Sequence, residues 1–207
     1  MARKGSSRRW LKEHHGDQYV ARAKREGWRS RAVYKLEEID RKDRLFRPGM
    51  RVADLGAAPG GWTQYAVSRV GPRGQVYALD RLDMPGVPGA EFLQGDFTEQ
   101  TVLDRLLDLL GEARLDLVLS DMAPNISGVK AVDQPAAMYL AELALDFAHR
   151  VLAEGGGLLV KAFQGEGFDA YLGELRRNFE RVQVRKPGAS RDRSPEVYLL
   201  ARNYRMV

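Results

Sequence analysis

From residue 50 onward, short apolar segments alternate with longer segments whose apolar residues have helical spacing. This alternation is typical of a mostly parallel sheet covered by helices on both faces. The predicted strands cover residues 50–55, 75–80, 91–96, 115–121, 156–163, 181–186 and 196–202. The predicted helices cover residues 62–70, 101–110, 135–152 and 168–179. The last two strands are close in sequence, so the pattern predicts a seven-stranded α/β sheet with an antiparallel edge strand.

The chain of 207 residues is long enough for one domain with a substantial core. No internal repeat or linker divides it, so we expect a single domain over residues 16–207. Residues 1–15 are rich in Arg, Lys, Ser and Gly, which predicts a flexible basic N-terminal arm. The helical spacing of Val33, Leu36 and Ile39 predicts a helix before the first strand, with its apolar face packed inward.

Positive charge is concentrated in the first quarter of the chain. Residues 1–51 contain 16 Lys and Arg against 7 Asp and Glu, whereas the remainder contains 17 against 21. Such asymmetry favours a basic face that binds a polyanion. A solvated tail is the competing interpretation for residues 1–14 alone.

Several classes of site are disfavoured by composition. The chain has no Cys, which excludes disulfides and thiolate metal sites, and His14, His15 and His149 lack metal-ligand spacing. No apolar run approaches the length of a membrane span, and the basic start is not followed by the apolar stretch of a secretory signal. We therefore expect a cytoplasmic protein with no bound metal and no membrane contact.

A glycine-rich turn follows the first predicted strand, in the sequence VADLGAAPGGWT at residues 52–63. Gly56, Gly60 and Gly61 permit a tight turn and close backbone approach just before a helix, as in nucleotide-binding loops. The turn is not the GxGxxG of dinucleotide folds, and the neighbouring Asp54 favours a ligand with a positive amino or sulfonium group over a pyrophosphate. A turn that needs glycine only for its geometry is an equally good interpretation of this segment alone.

Charged side chains stand at the carboxyl ends of the first five predicted strands. Four are carboxylates and the fifth is a lysine: Asp54, Asp80, Asp96, Asp121 and Lys161. Ligands of open α/β sheets bind at this edge, and a carboxylate ending the second strand commonly accepts hydrogen bonds from ribose hydroxyls. An adenosyl group with a methionine tail fits this set better than other common cofactors.

The chain resembles the FtsJ/RrmJ (RlmE-type) family of ribosomal RNA 2′-O-methyltransferases from about Tyr19 to its C-terminus. The matching motifs are SRAVYKL (30–36), DLGAAPGGW (54–62), LSDMAPNISG (120–128), GGLLVKAFQG (156–165) and SRDRSPEVYLLA (190–201). The resemblance implies a Rossmann-like methyltransferase fold that uses S-adenosyl-L-methionine. It also implies a substrate, namely a uridine ribose in large-subunit (23S-type) ribosomal RNA, presented within the assembled particle to a monomeric enzyme.

The resemblance also assigns site residues. The catalytic tetrad of the family falls on Lys35, Asp121, Lys161 and Glu196. Its cofactor contacts fall on Gly60, Trp62, Asp80, Asp96 and Asp121.

The tetrad suits proton removal from a ribose hydroxyl, which is a weak nucleophile. We hypothesise that Lys161 is the general base and that Lys35 is a cation that lowers the pKa of Lys161 and orients the hydroxyl. Asp121 and Glu196 would position the two amines, with Asp121 also near the methyl group. Nearby carboxylates raise a lysine pKa, so they oppose the effects of burial and of the second cation.

The basic residues predicted to meet RNA precede Lys35 or Glu196 in the sequence. They are the N-terminal arm with Arg22, Lys24, Arg25, Arg29 and Arg31, and also Arg191 and Arg193. Contacts of such residues with phosphates supply affinity with little sequence information. Trp10, Trp28 and Tyr34 either stack on bases or pack between helix and sheet.

Three alternative functions stay open at this point. The nearest is the same chemistry on another RNA, such as a transfer RNA or an mRNA cap. A nucleotide-dependent oxidoreductase is disfavoured because the glycine turn lacks the dinucleotide pattern. A noncatalytic RNA-binding or assembly factor is disfavoured because binding alone does not need the tetrad.

Overall fold

A computed structural model of the chain describes residues 18–190 and 194–206. The predicted basic arm at residues 1–15 lies outside these ranges, as do Trp10, Arg191 and Arg193. The strands are β1 (Arg51–Leu55), β2 (Gln75–Asp80), β3 (Ala90–Gln94), β4 (Leu115–Ser120), β5 (Leu152–Phe163), β6 (Phe179–Arg185) and β7 (Glu196–Tyr204). The helices are α1 (Gln18–Glu26), α2 (Val33–Asp43), α3 (Gly61–Val70), α4 (Gln100–Leu110), α5 (Lys130–Val151) and α6 (Phe168–Asn178).

All seven strands form one sheet in the order β3-β2-β1-β4-β5-β7-β6. The pairs from β3 to β5 are parallel. Strand β7 pairs antiparallel with both β5 and β6 and lies between them. The predicted mostly parallel sheet with an antiparallel edge is therefore confirmed, and the insertion of β7 makes β6 the outermost strand.

Helix α5 begins five residues before the predicted start at Pro135. The carboxylate of Asp133 accepts hydrogen bonds from the backbone N–H groups of Ser127 and Gly128 at 2.8 and 2.9 Å, and from the Ser127 hydroxyl at 2.8 Å. These bonds tie the preceding loop to the added helical turn.

The two faces of the sheet bury separate cores. Helices α4, α5 and α6 cover one face, and α2 and α3 cover the other. Side chains alternate between the faces along β5, so Leu158 and Val160 face α5 whereas Leu159 faces α2. Because Lys161 is two residues after Leu159, it is directed toward the face that α2 covers.

Asp40 fastens the end of α2 to the rest of the fold. Its buried carboxylate accepts the backbone N–H groups of Leu45 at 2.8 Å and Phe46 at 3.1 Å, which close the turn after α2. It also accepts the Tyr65 hydroxyl of α3 at 2.8 Å and lies 3.0 Å from the Arg69 guanidinium. Asp40 therefore fixes the position of the helix that carries Lys35.

We expect Asp40→Ala to lower the free energy of unfolding by about 2–4 kcal/mol, because two backbone donors and a buried hydroxyl lose their acceptor. Chemical denaturation of the purified protein measures this change. Asp108→Ala, which removes an exposed carboxylate from α4, is the matched control and should change the value by less than about 0.5 kcal/mol. Equal effects of the two substitutions would contradict the role of Asp40.

Candidate active site

The four tetrad residues come from four separate segments and meet beside the carboxyl edge of the sheet. Lys35 lies on α2, Asp121 directly follows β4, Lys161 lies on β5, and Glu196 begins β7. The antiparallel register pairs Lys161 with Tyr198 and Phe163 with Glu196. Because side chains alternate along each strand, Lys161, Tyr198 and Glu196 are all directed toward α2.

Glu196 bridges the two lysines. One carboxylate oxygen lies 2.6 Å from Lys35 Nζ, and the other lies 3.9 Å from Lys161 Nζ. Lys161 Nζ also contacts Asp121, through the side-chain Oδ1 at 2.9 Å and the backbone carbonyl at 2.8 Å. The side chains of Lys35 and Lys161 are only 15% and 9% exposed, so the network is largely shielded from water.

Tyr198 joins this network, although the sequence did not single it out. Its hydroxyl donates to Asp121 Oδ1 at 2.6 Å and accepts from Lys35 Nζ at 3.2 Å. The ring is fully buried and packs against Trp62 with 5.6 Å between ring centroids. The sequence did contain a signal for Tyr198, because it lies two residues after Glu196 on a predicted strand. This spacing puts both side chains on one face of the sheet.

The local charges shift two pKa values in opposite directions. Burial alone would raise the pKa of Asp121, but the charges of Lys161 and Lys35 and the hydrogen bonds from Tyr198 and Lys161 outweigh it and lower that pKa. Burial, reinforced by the charges of Asp121 and Glu196, raises the pKa of Tyr198 well above its usual value. Asp121 is therefore an anion at neutral pH, and Tyr198 keeps its proton.

Glu196 is itself held in place by the connection from β6. The Ser190 hydroxyl donates to Glu196 Oε1 at 3.1 Å. Lys186 Nζ donates to the backbone carbonyls of Glu196 at 2.5 Å and Ser194 at 2.7 Å. The Arg31 guanidinium donates to the carbonyl of Ala189, which ties this connection to the segment before α2.

A cavity of about 450 Å³ opens at the carboxyl edge of the sheet, next to Asp121. Three predicted cofactor residues line it: Asp80, Asp96 and Asp121. The other two do not line it. Gly60 has φ 105° and precedes α3, and the indole of Trp62 is buried and donates to the Ala32 carbonyl at 2.8 Å.

Two carboxylates of the cavity are ordered by their own neighbours. Asp80 accepts the backbone N–H groups of Ala58 at 2.9 Å and Leu82 at 2.8 Å, one on each oxygen. Asp96 uses a single oxygen to accept the backbone N–H of Thr98 at 3.0 Å and its hydroxyl at 2.8 Å. These Thr98 bonds lower the pKa of Asp96. Since each carboxylate oxygen accepts two hydrogen bonds, both groups retain capacity for the hydroxyl or ammonium groups of a ligand.

The interpretation of Asp54 as a ligand-facing carboxylate is wrong. Asp54 is fully buried and does not line the cavity. Its Oδ2 accepts the Thr63 hydroxyl at 2.7 Å, and its Oδ1 has no hydrogen-bond partner in the described structure. Burial, with smaller contributions from the charges of Asp121 and Asp80, raises the pKa of Asp54 to about 7.

Three of the arginines predicted to meet RNA are engaged within the protein. Arg29 donates to the carbonyls of Pro59, Pro85 and Gly86, and so joins the glycine turn to residues 85–86. Arg31 binds the Ala189 carbonyl, and Arg22 binds Glu26 at 2.8 Å. Among the residues of this predicted surface that lie within 18–190, Lys24 and Arg25 are exposed on α1 and their side chains bind no other residue of the described structure.

The aromatic residues near this surface are packing residues. Trp28 packs on Tyr65 with 6.1 Å between ring centroids. Tyr34 is buried and donates its hydroxyl to Glu26 at 2.9 Å.

In the ranges 18–190 and 194–206, no group of three or more His, Cys, Asp or Glu residues could hold a metal ion. No helix in the same ranges is long and apolar enough to cross a membrane.

Together, the fold and the site define an α/β protein with a cavity at the carboxyl edge of its sheet, beside a lysine–carboxylate network. The sequence model described as FtsJ-like methyltransferase matches residues 28–204, so the chain belongs to the family of FtsJ-like methyltransferases.

Similar proteins are known among curated sequences and solved structures. The chain is 60% identical over 205 residues to proteins named Ribosomal RNA large subunit methyltransferase E from Pseudomonas paraeruginosa and Pseudomonas aeruginosa, covering 99% of both chains. It is 27% identical to a ribosomal RNA methyltransferase structure from Plasmodium falciparum, with a TM-score of 0.77 over 86% of this chain and 98% of that one. A structure from Clostridium thermocellum, 16% identical with a TM-score of 0.55, shares the fold.

We expect Asp54→Asn to gain stability relative to the wild type as the pH rises from about 4 to about 7. In this window the unfolded chain has an ionised Asp54. The folded chain keeps the proton, because its pKa is raised to about 7. The raised pKa of Asp54 therefore lowers the free energy of unfolding of the wild type by up to about 1.4 kcal/mol for each unit of rising pH. The Asn variant lacks this loss.

Denaturant unfolding of both proteins across this pH range measures the difference. Asp108→Asn, which changes an exposed carboxylate, is the control and should not show this gain over the same pH range. A difference that is also constant for Asp54→Asn would show that Asp54 is ionised in the folded protein.

Proposed function

We propose that the protein transfers the methyl group of S-adenosyl-L-methionine to a uridine ribose 2′-hydroxyl in large-subunit ribosomal RNA, with Lys161 as the general base. The observation that carries the proposal is the assembly of Lys35, Asp121, Lys161 and Glu196 next to a cavity lined by carboxylates. The names of the curated relatives support ribosomal RNA of the large subunit as the substrate class.

The cavity fits the proposed cofactor in size and in chemistry. Its volume of about 450 Å³ lies within the range of small-molecule sites. Asp80 and Asp96 would accept hydrogen bonds from its hydroxyl and amino groups, and Gly60 and Trp62 would hold the glycine turn that borders the cavity. When bound, the cofactor supplies a methyl group on a positively charged sulfur that leaves as a neutral thioether. Asp121 lies between this cavity and the lysine network, where its negative charge favours a cationic ligand.

The contacts of Lys161 suit an amine that accepts a proton. A neutral amine has two hydrogens and one lone pair, and Lys161 Nζ faces two acceptors, both on Asp121. Two donated hydrogen bonds would use both hydrogens and leave the lone pair for the ribose hydroxyl. The proton of the hydroxyl then moves to Nζ as the hydroxyl oxygen bonds to the methyl carbon.

The remaining network residues position this amine and balance its charge. Lys35 contacts the other oxygen of the Glu196 carboxylate. The negative charge of Glu196 is therefore shared between the two amines. Tyr198 links Lys35 to Asp121 and restrains both. Such restraint matters because oxygen, methyl carbon and sulfur must be held in line.

Methyl transfer to another RNA, such as transfer RNA, is the alternative with the same chemistry. The network would perform the same step on any ribose hydroxyl, so the site residues alone do not distinguish the two substrates. Ribosomal RNA is favoured because the relatives that match over 99% of the chain carry that substrate in their names.

We expect Lys161→Ala to lower the rate of methyl transfer by at least about 100-fold while leaving cofactor affinity unchanged, because the proton acceptor is lost. Lys161→Arg should be equally inactive, since a guanidinium stays protonated and cannot accept the proton of the hydroxyl. Lys42→Ala, on the exposed side of α2, is the control and should keep the wild-type rate. Single-turnover methylation and cofactor titration measure both quantities, and an active Arg variant would rule out the base.

The substrate is tested by offering labelled cofactor with three RNAs: whole large ribosomal subunits, free large-subunit ribosomal RNA and transfer RNA. The RNAs must lack the modification, and the labelled nucleoside is then mapped. We expect a 2′-O-methyluridine in the large subunit. Label on transfer RNA alone would favour the alternative, and label on a base nitrogen or carbon would overturn the proposed chemistry.

We expect reversal of charge at Lys24 and Arg25 to weaken RNA binding, because both lie exposed on α1 next to the segment that carries Lys35. The slope of log affinity against log salt should decrease by about two if each residue contacts one phosphate. Reversal at Arg176 and Arg177, exposed on α6 at the other face of the sheet, is the matched control. An equal loss of affinity in both double variants would indicate a general charge effect rather than an RNA site on α1.

A further inference from the structure

One wall of the cavity is a segment that makes few hydrogen bonds to the rest of the protein. Residues 121–129 connect β4 to α5 without regular secondary structure, and residues 122–125 line the cavity. The segment is held at its start, where the Asp121 N–H donates to the Leu55 carbonyl at 3.0 Å, and near its end, where Asp133 binds residues 127 and 128.

Between these anchors, Arg81 makes the connection to the opposite wall. Arg81 follows the last residue of β2, and its Nη2 donates to Asn125 Oδ1 at 2.5 Å. Within the described part of the chain, this is the only hydrogen bond made by residues 122–126. Both partners line the cavity and both are exposed, so the bond spans its solvent-facing rim.

The backbone of Arg81 is held in place, while its guanidinium reaches across the cavity rim. Gln94 of β3 donates to the Arg81 carbonyl at 3.3 Å, and the adjacent Asp80 is bound to two backbone N–H groups. The charge of Arg81 also contributes to the lowered pKa of Asp96, which places the guanidinium near that carboxylate. Arg81 therefore lies close to both carboxylates, Asp80 and Asp96, that are proposed to bind the cofactor.

We propose that Arg81 and Asn125 form a latch that controls the entry and exit of the cofactor. This inference rests on the proposed function, because it assigns the cavity to S-adenosyl-L-methionine. Met122 packs against the core, so opening requires that the Arg81–Asn125 hydrogen bond breaks and that residues 123–126 move away from β2. Since entry and exit use the same opening, the latch slows both and contributes little to equilibrium affinity.

The test measures association and dissociation rates of S-adenosyl-L-methionine with the full chain. Loss of one net hydrogen bond corresponds to roughly a three- to tenfold change. We expect Arg81→Ala and Asn125→Ala each to raise both rates by that factor, with the dissociation constant changed less than threefold. The double variant should match the single ones, because either substitution removes the same bond.

Two further variants sharpen the result. Asn125→Asp replaces the bond with an ion pair between opposite charges and should slow both rates, with an effect that weakens as salt is added. Arg105→Ala removes an exposed arginine of α4 that does not line the cavity, and should leave both rates unchanged. Unchanged rates in Arg81→Ala would overturn the latch. A rise in dissociation alone, with weaker affinity, would also overturn it and identify Arg81 as a direct ligand contact.

Backbone amide NMR order parameters of residues 123–126, Pro124 excepted, separate the latch from the proposed function when they are measured without added ligand. We expect lower order parameters in Arg81→Ala but not in Arg105→Ala, because the only hydrogen bond that the described structure gives these residues is lost. A wild-type protein that fails to bind the cofactor would overturn the proposed function, and the order parameters would still decide whether the bond holds the segment. Identical order parameters in the two variants would overturn the latch by itself.

Discussion

The arrangement of the site depends on the pairing of two shielded lysine side chains with two carboxylates. Lys161 and Lys35 are mostly removed from water, which costs several kcal/mol for an unpaired charge. Asp121 and Glu196 offset this cost, and Glu196 does so for both amines at once. Each of the four groups belongs to a different segment, so their pairing constrains α2, β4, β5 and β7 together. A shift of any one segment would leave a buried charge without its partner.

Strand order explains why such a network forms next to the cavity. The parallel strands β1 to β4 direct their carboxyl ends to one edge, where Asp80, Asp96 and Asp121 line the cavity. The antiparallel β7 begins at the same edge, because it runs opposite to β5, and this brings its first residue, Glu196, beside the end of β5. One edge of the sheet therefore holds both the carboxylates that line the cavity and the two lysine amines beside them.

The sequence pattern was sufficient for the strands, most helix limits and the strand-end carboxylates, and the family resemblance identified the tetrad. Other features needed contacts between distant segments. The positive charges of Arg29 and Arg31 suggested an RNA surface, yet both side chains bind backbone carbonyls of later loops. The sequence pattern put Asp54 and Asp80 at equivalent strand ends, yet Asp54 lies one residue before the end of β1, pairs with Ala78 and is buried against Thr63. A strand-end position indicates the edge at which a side chain lies, but not whether it faces the ligand or the core.

By itself, the sequence determined the sheet, its antiparallel edge and the edge at which the charged groups gather, because side-chain periodicity and strand direction are local properties. Tertiary structure decided which of these groups act together. It paired Glu196 with two lysines, added Tyr198 to the network and turned Arg81 toward Asn125 across the cavity rim. The physical reason is that a polar side chain acquires its partner, its burial and its pKa from segments far away in the chain, which only the packed fold brings within hydrogen-bonding distance.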